Sequence, residues 1–118
     1  MALSTAGRNA AAAGVSAVTT YVSLHTADPG ASGTGEVTGG SPAYARKAIT
    51  WAAASSGVAT SNGTDPVFDV PASTTVTHFG FWSAATAGTY YGGGALSASE
   101  TFGGQGTYTL DTATITVT

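Results

Sequence analysis

Between Val18 and Thr26 the chain alternates with a period of two. Val18, Thr20, Val22 and Leu24 fall on one face, and Thr19, Tyr21, Ser23 and His25 on the other. That period predicts a β-strand, and Asp28-Pro29-Gly30 supplies the turn chemistry that stops it. Upstream the pattern differs. Ser4 or Thr5 can cap a helix whose body is Arg8-Asn9-Ala10-Ala11-Ala12-Ala13, and Gly14 is placed to end it. A short helix over about residues 4–13 is therefore expected. It is marginal alone in water and needs a surface to dock on.

Residues 27–42 carry five glycines and two prolines and read as a long loop whose tip is a candidate contact with another subunit. A strand follows from Tyr44 to Trp51, with Ala45, Lys47, Ile49 and Trp51 on one side. Residues 52–64 are small and polar and end in the turn signal Asn62-Gly63. Val67–Val70, between Pro66 and Pro71, reads as an edge strand. Val76–Ser83 is the most apolar strand, with Phe79 and Phe81 opposite His78, Gly80 and Trp82. Shorter strands are expected at Thr89–Tyr91, closed by Gly92-Gly93-Gly94, at Thr107–Leu110, and at Ala113–Val117. The sum is a mainly β chain. It reads as one domain over residues 1–118, an antiparallel sandwich or barrel-like unit of about seven short strands and one N-terminal helix. No repeat of fixed period is present.

Composition changes this picture in one respect. Leu, Ile, Val and Phe together make 19 of 118 residues, below the roughly 20% at which a core becomes thin. Charged residues are only 8% and the formal net charge is -3, so the charge repulsion of a disordered chain is missing. The expectation is a folded domain padded with Ala, Thr and aromatic rings, stabilised further by a partner. The only basic residues are Arg8, Arg46 and Lys47, which excludes an electrostatic footprint for nucleic acid. No segment has the ~18 apolar residues of a membrane span. Residues 2–18 lack the strongly apolar core of a signal peptide and read as a mature N-terminus. There is no cysteine.

Candidate chemistry is sparse. Gly30-Ala31-Ser32-Gly33-Thr34-Gly35 has the glycine spacing of a phosphate loop, but Glu36-Val37 stands where Lys and Ser or Thr are required. His25 and His78 lie on separate strands with nothing in the sequence to join them, so no metal site is assigned. The six acids are scattered, and Asp28, Asp65 and Asp111 sit at turns, where Asp is structurally favoured. No catalytic residue and no cofactor is assigned. Trp51, Trp82, Tyr90 and Tyr91 are the rings on which a sugar could stack.

Two stretches carry a family resemblance: Tyr21-Val22-Ser23-Leu24-His25-Thr26-Ala27-Asp28-Pro29-Gly30, and Glu36-Val37-Thr38-Gly39-Gly40-Ser41-Pro42-Ala43-Tyr44-Ala45-Arg46. Phe79-Gly80-Phe81-Trp82-Ser83-Ala84 and Thr101-Phe102-Gly103-Gly104-Gln105-Gly106-Thr107-Tyr108 extend it over nearly the whole chain. The sequence resembles small virion proteins of tailed phages, common in phages of actinobacteria and described as tail-fibre-like or minor tail proteins. The resemblance implies a non-enzymatic structural protein of the phage particle, made in the host cytoplasm. Its implied partners are copies of itself and other virion proteins, major capsid or tail. Tail location and capsid decoration are both compatible with it. A β-sandwich binding host cell-surface glycans is the competing reading. Arg8, Asp28, Glu36, Tyr44 and Arg46 are the residues assigned to assembly contacts. For Arg46 the expected partner is Glu36, in its own loop, or a neighbouring subunit.

Overall fold

The computed structural model describes all residues 1–118. One helix, α1 (Thr5–Val18), precedes nine strands: β1 (Tyr21–His25), β2 (Lys47–Ala48), β3 (Thr50–Trp51), β4 (Val58–Asn62), β5 (Val67–Val70), β6 (Thr74–Trp82), β7 (Tyr90–Phe102), β8 (Gly106–Thr109) and β9 (Thr114–Thr116). All pairings are antiparallel. The strands form a four-stranded sheet in the order β2-β1-β6-β7, a three-stranded sheet β3-β4-β9, and the pair β5-β8. The mainly β architecture agrees with the sequence reading, and no barrel closes.

The helix starts as the sequence predicts and ends later. Ser4 Oγ accepts from the Gly7 N–H at 3.0 Å, an N-cap. Gly14 does not stop the helix, which runs on to Val18, and the Thr19 N–H bonds back to the Val15 carbonyl. Docking explains the extension. Ala12 is fully buried and Val15 packs against the same core, with α1 lying on β4 and β9. Tertiary packing overrides a glycine that is a poor helix former by about 1 kcal/mol.

Three strand assignments also change. The expected strand 44–51 splits into β2 and β3, which join different sheets. The segment 52–64, read as small and polar with no strand assigned, contains β4. The expected strand 89–91 becomes β7, thirteen residues long, running through Gly92-Gly93-Gly94 rather than ending there. The glycines are needed because β7 passes closely over other groups. A Cβ on Gly93 would strike the Phe79 carbonyl and would come within 3.0 Å of the Tyr90 hydroxyl. β7 is bulged as well. Between the pairs Val76–Glu100 and His78–Ala95, β6 has one residue and β7 has four.

Val22, Leu24, Phe68, Val70 and Val76 are fully buried and form the centre of the core with Phe81, Leu96, Phe102, Leu110 and Ile115. Each large side chain contributes about 1.5–3 kcal/mol. Only 23 of 118 residues are buried, however, so the core is thin, as the composition implied. The molecule measures 47 × 27 × 26 Å.

Gly14 is helical and a Cβ there would meet nothing within 4 Å. Gly14→Ala is expected to raise stability by about 0.5–1 kcal/mol, through the entropy of the unfolded chain and helix propensity. Urea unfolding checks this, with a higher midpoint as the expected outcome.

Candidate functional site

β1 is central because both of its edges are occupied. β6 pairs with it in register from Tyr21–Trp82 to His25–His78. On the other edge β2 covers only Tyr21 and Val22. Beyond that point the 27–42 loop takes over. The Val37 N–H bonds to the Leu24 carbonyl, and the Thr26 N–H to the Gly35 carbonyl, each at 3.0 Å. The remaining donor, the Leu24 N–H, bonds to the Tyr44 hydroxyl at 3.0 Å. A side chain thus stands in for a missing strand.

The Tyr44 hydroxyl in turn donates to Glu36 Oε2 at 2.9 Å, and its ring stacks on Phe68 with centroids 6.2 Å apart. Burial pushes the Tyr44 hydroxyl well above the usual phenol range; its contacts with Glu36 act in the same direction. It is therefore a fixed donor at any ordinary pH.

Arg46 completes the assembly. Its guanidinium grips Glu36 through Nε to Oε2 at 2.9 Å and Nη2 to Oε1 at 3.0 Å, the bidentate geometry that makes arginine–carboxylate pairs strong. Nη1 donates to the Ala84 carbonyl at 3.1 Å and the Ala87 carbonyl at 2.8 Å. The guanidinium plane lies 3.6 Å over the Trp82 ring, a cation–π contact. The Arg46 and Glu36 side chains are 9% and 21% exposed, so the pair is shielded from solvent screening. Three distant segments meet here: the 27–42 loop, the 83–89 turn and β6.

Behind Trp82 a second polar chain runs inward. The indole Nε1–H donates to Ser23 Oγ at 2.8 Å, and Ser23 Oγ lies 2.7 Å from His25 Nε2. His25 Nδ1 lies 2.8 Å from the Thr34 carbonyl. A serine and a histidine at that separation have the spacing of a nucleophile and its base. Both are fully buried, and a Cβ placed on Gly80 would be 2.7 Å from one and 2.8 Å from the other. No substrate can reach them. The pair is a structural cross-brace.

The residues assigned from sequence divide clearly. Glu36, Tyr44 and Arg46 come together within this one chain, and the Arg46–Glu36 pairing within the loop is the arrangement found. Asp28 stands apart at the exposed start of the loop, where its Oδ1 accepts from the Gly30 N–H at 2.9 Å. Arg8 lies on α1 and takes no part in this cluster, its guanidinium bonded to the Leu3 carbonyl and the Thr5 hydroxyl at the helix start. His25 and His78, expected apart, are cross-strand neighbours. Both His25 nitrogens are already hydrogen-bonded, which leaves no lone pair for a metal. The 30–35 glycines form no phosphate cradle, since the Gly33 and Thr34 N–H groups both turn onto the Pro29 carbonyl. Of the four rings considered for sugar stacking, only Tyr91 is exposed. The indole N–H of Trp51 donates to the Thr19 carbonyl.

Arg46→Ala leaves Glu36 partly buried and two carbonyls without donors. It is expected to cost about 2–4 kcal/mol, roughly 10 °C in melting temperature for a domain of this size. Arg46→Lys is expected to recover less than half, because an ammonium cannot bind bidentately or lie flat on Trp82. Thermal unfolding followed by circular dichroism decides both.

No curated protein matches the chain. A family model described as podophage GP4 fiber I protein gp80 matches residues 3–118. The chain therefore belongs to that family, and it is a structural component of a phage virion of the tail-fibre-like type.

Proposed function

We propose that the protein serves on the phage tail as a fibre part present in several copies, rather than as a decoration of the capsid. The match over residues 3–118 carries this reading. The elongated shape, 47 Å along one axis, and a surface with few charges support it. Such a part acts by shape and contact, and the Arg46–Glu36 clasp is what gives the exposed 27–42 loop a fixed shape to present. On this reading Asp28, exposed at the start of the loop, touches a neighbouring virion protein directly. Glu36, Tyr44 and Arg46 act by holding the loop, and Arg8 by holding the start of α1.

Copies of the chain meet through α1. Ala6, Ala10, Ala13 and Ala17 are exposed and recur at intervals of four, three and four, the spacing of a helix–helix seam. The helix has no acidic residue in its first turn and no basic residue in its last. Small side chains without charge let two backbones approach closely.

Two measurements test the proposal. Antibody labelling of intact particles is expected to mark the tail; labelling confined to the head would overturn the fibre reading. Ala13→Glu changes an exposed position and is expected to alter monomer stability by no more than about 0.5 kcal/mol. It is expected to weaken self-association at least tenfold by analytical ultracentrifugation. Unchanged sedimentation would remove α1 as the contact.

A further inference from the structure

Asn62 is the last residue of β4, and Gly63 follows it as the chain leaves the sheet. Both are exposed. Asn62 lies opposite Thr50 in the β3–β4 pair. The Thr50 hydroxyl donates to Asn62 Oδ1 at 2.8 Å and shares the same proton with the Asn62 main-chain carbonyl at 2.9 Å. The Gly63 N–H has no hydrogen-bond partner within the chain. Gly63 turns with φ 74°, and a Cβ there would lie 3.0 Å from the Thr50 hydroxyl, so the turn takes glycine for both its dihedral and its space. Three groups thus stand together. They are a side-chain amide carbon, the next main-chain nitrogen, and a hydroxyl bonded to the amide oxygen.

We propose that Asn62-Gly63 is a self-modifying site, at which the Gly63 nitrogen closes onto Asn62 Cγ while the Thr50 hydroxyl holds the amide oxygen. The Gly63 nitrogen gives its proton to hydroxide from solvent and forms a bond to Cγ. Negative charge gathers on Oδ1, which the Thr50 hydroxyl already binds, so Thr50 acts as an oxyanion donor. The Cγ–Nδ2 bond then breaks, and ammonia leaves with a proton taken from water. The five-membered imide opens when water adds to either of its carbonyls. One route restores the ordinary main chain with an aspartate side chain. The other routes the main chain through the side chain, as isoaspartate. The balance is one water in, one ammonia out and one carboxylate gained, with no oxidation or reduction.

Asn9, the other asparagine of the chain, has the opposite surroundings. It lies within α1, and its Oδ1 accepts from the Gly57 N–H at 2.7 Å. The nitrogen next along belongs to Ala10, inside the helix, where its N–H is part of the helix ladder. Ring closure at Asn9 would have to undo both. At Asn62 little has to move. The pairing with β9 ends before Asn62, and Gly63 lies outside the sheet. The product places a negative charge at an exposed turn close to Asp65, on a chain whose formal net charge is already -3. Copies that have reacted therefore differ in charge from fresh ones at a single surface position.

The test is to hold the intact chain at 37 °C for several weeks, at pH 6.5 and at pH 8.5, and to follow it by peptide mass spectrometry. The peptide containing Asn62 is expected to gain one dalton while the Asn9 peptide stays unchanged. Electron-transfer fragmentation is expected to find isoaspartate at position 62, which direct hydrolysis of the amide does not produce. The gain is expected to be faster at pH 8.5, because the Gly63 nitrogen must lose its proton. Thr50→Val keeps the side-chain shape and removes the donor. Thr50 is exposed and water partly replaces its hydroxyl, so the expected slowing is about threefold, far short of the hundredfold or more of a buried oxyanion donor. Thr50→Ser is expected to restore the rate. An unchanged Asn62 peptide, aspartate without isoaspartate, or equal reaction at Asn9 would overturn the site. An unslowed Thr50→Val would overturn the part given to the hydroxyl. The wild-type measurements decide the site whether or not the variants fold.

Discussion

One guanidinium organises this molecule. Arg46 binds a carboxylate from the loop, two carbonyls from the 83–89 turn and the face of Trp82. Each of these segments is weakly structured alone. The loop is glycine-rich, and the turn includes Ala87 in the left-handed region with φ 52°, a conformation that costs a non-glycine residue of order 1 kcal/mol. A lysine could satisfy one of these demands. Only a planar cation with five donors satisfies them together.

This dependence on polar contacts follows from the composition. A chain whose large aliphatic and Phe residues are so few cannot fix its loops by burying them. Its apolar groups are concentrated where the sheets meet, around Leu24, Phe68 and Val76. The outlying segments are held instead by hydrogen bonds, which specify geometry more sharply than apolar contact does. Tyr44 joins the two regimes. Its ring belongs to the core through Phe68, while its hydroxyl ties the β1 backbone to Glu36. A structural protein of the virion acts through its surface, and this division of labour gives it a defined one.

The sequence made some of this legible and hid the rest for identifiable reasons. β1 was readable because alternation and a following Asp-Pro-Gly turn coincide. The Arg46–Glu36 pairing was foreseeable because so few charges compete. β4 was not readable, since Val58-Ala59-Thr60-Ser61-Asn62 has a single fully buried position, Ala59, and no large apolar side chain on it to mark the period. β7 was cut short because three consecutive glycines usually end a strand, whereas here they allow a close crossing over Phe79 and Tyr90. The end of α1 depended on what Val15 would pack against. The Ser23–His25–Trp82 chain depends on the register of β1 against β6, which places Tyr21 opposite Trp82 and His25 opposite His78. Register is a long-range property that no local window contains.

The sheet edges bear on how copies can join. Exposed strand edges template pairing with other chains, and most proteins block them with charge. This chain has little charge to use. It blocks several of them by geometry: β2 and β3 have two residues each, β5 lies between Pro66 and Pro71, and β7 is bulged at residues 96–99 and again at Tyr91. A bulge twists the strand and breaks the row of donors and acceptors that a second chain would need. An assembly by strand addition at one of these edges would have to undo its blocking feature. The proposed contact through the uncharged face of α1 would leave all of them in place, and two copies joined that way would not need to fuse their sheets.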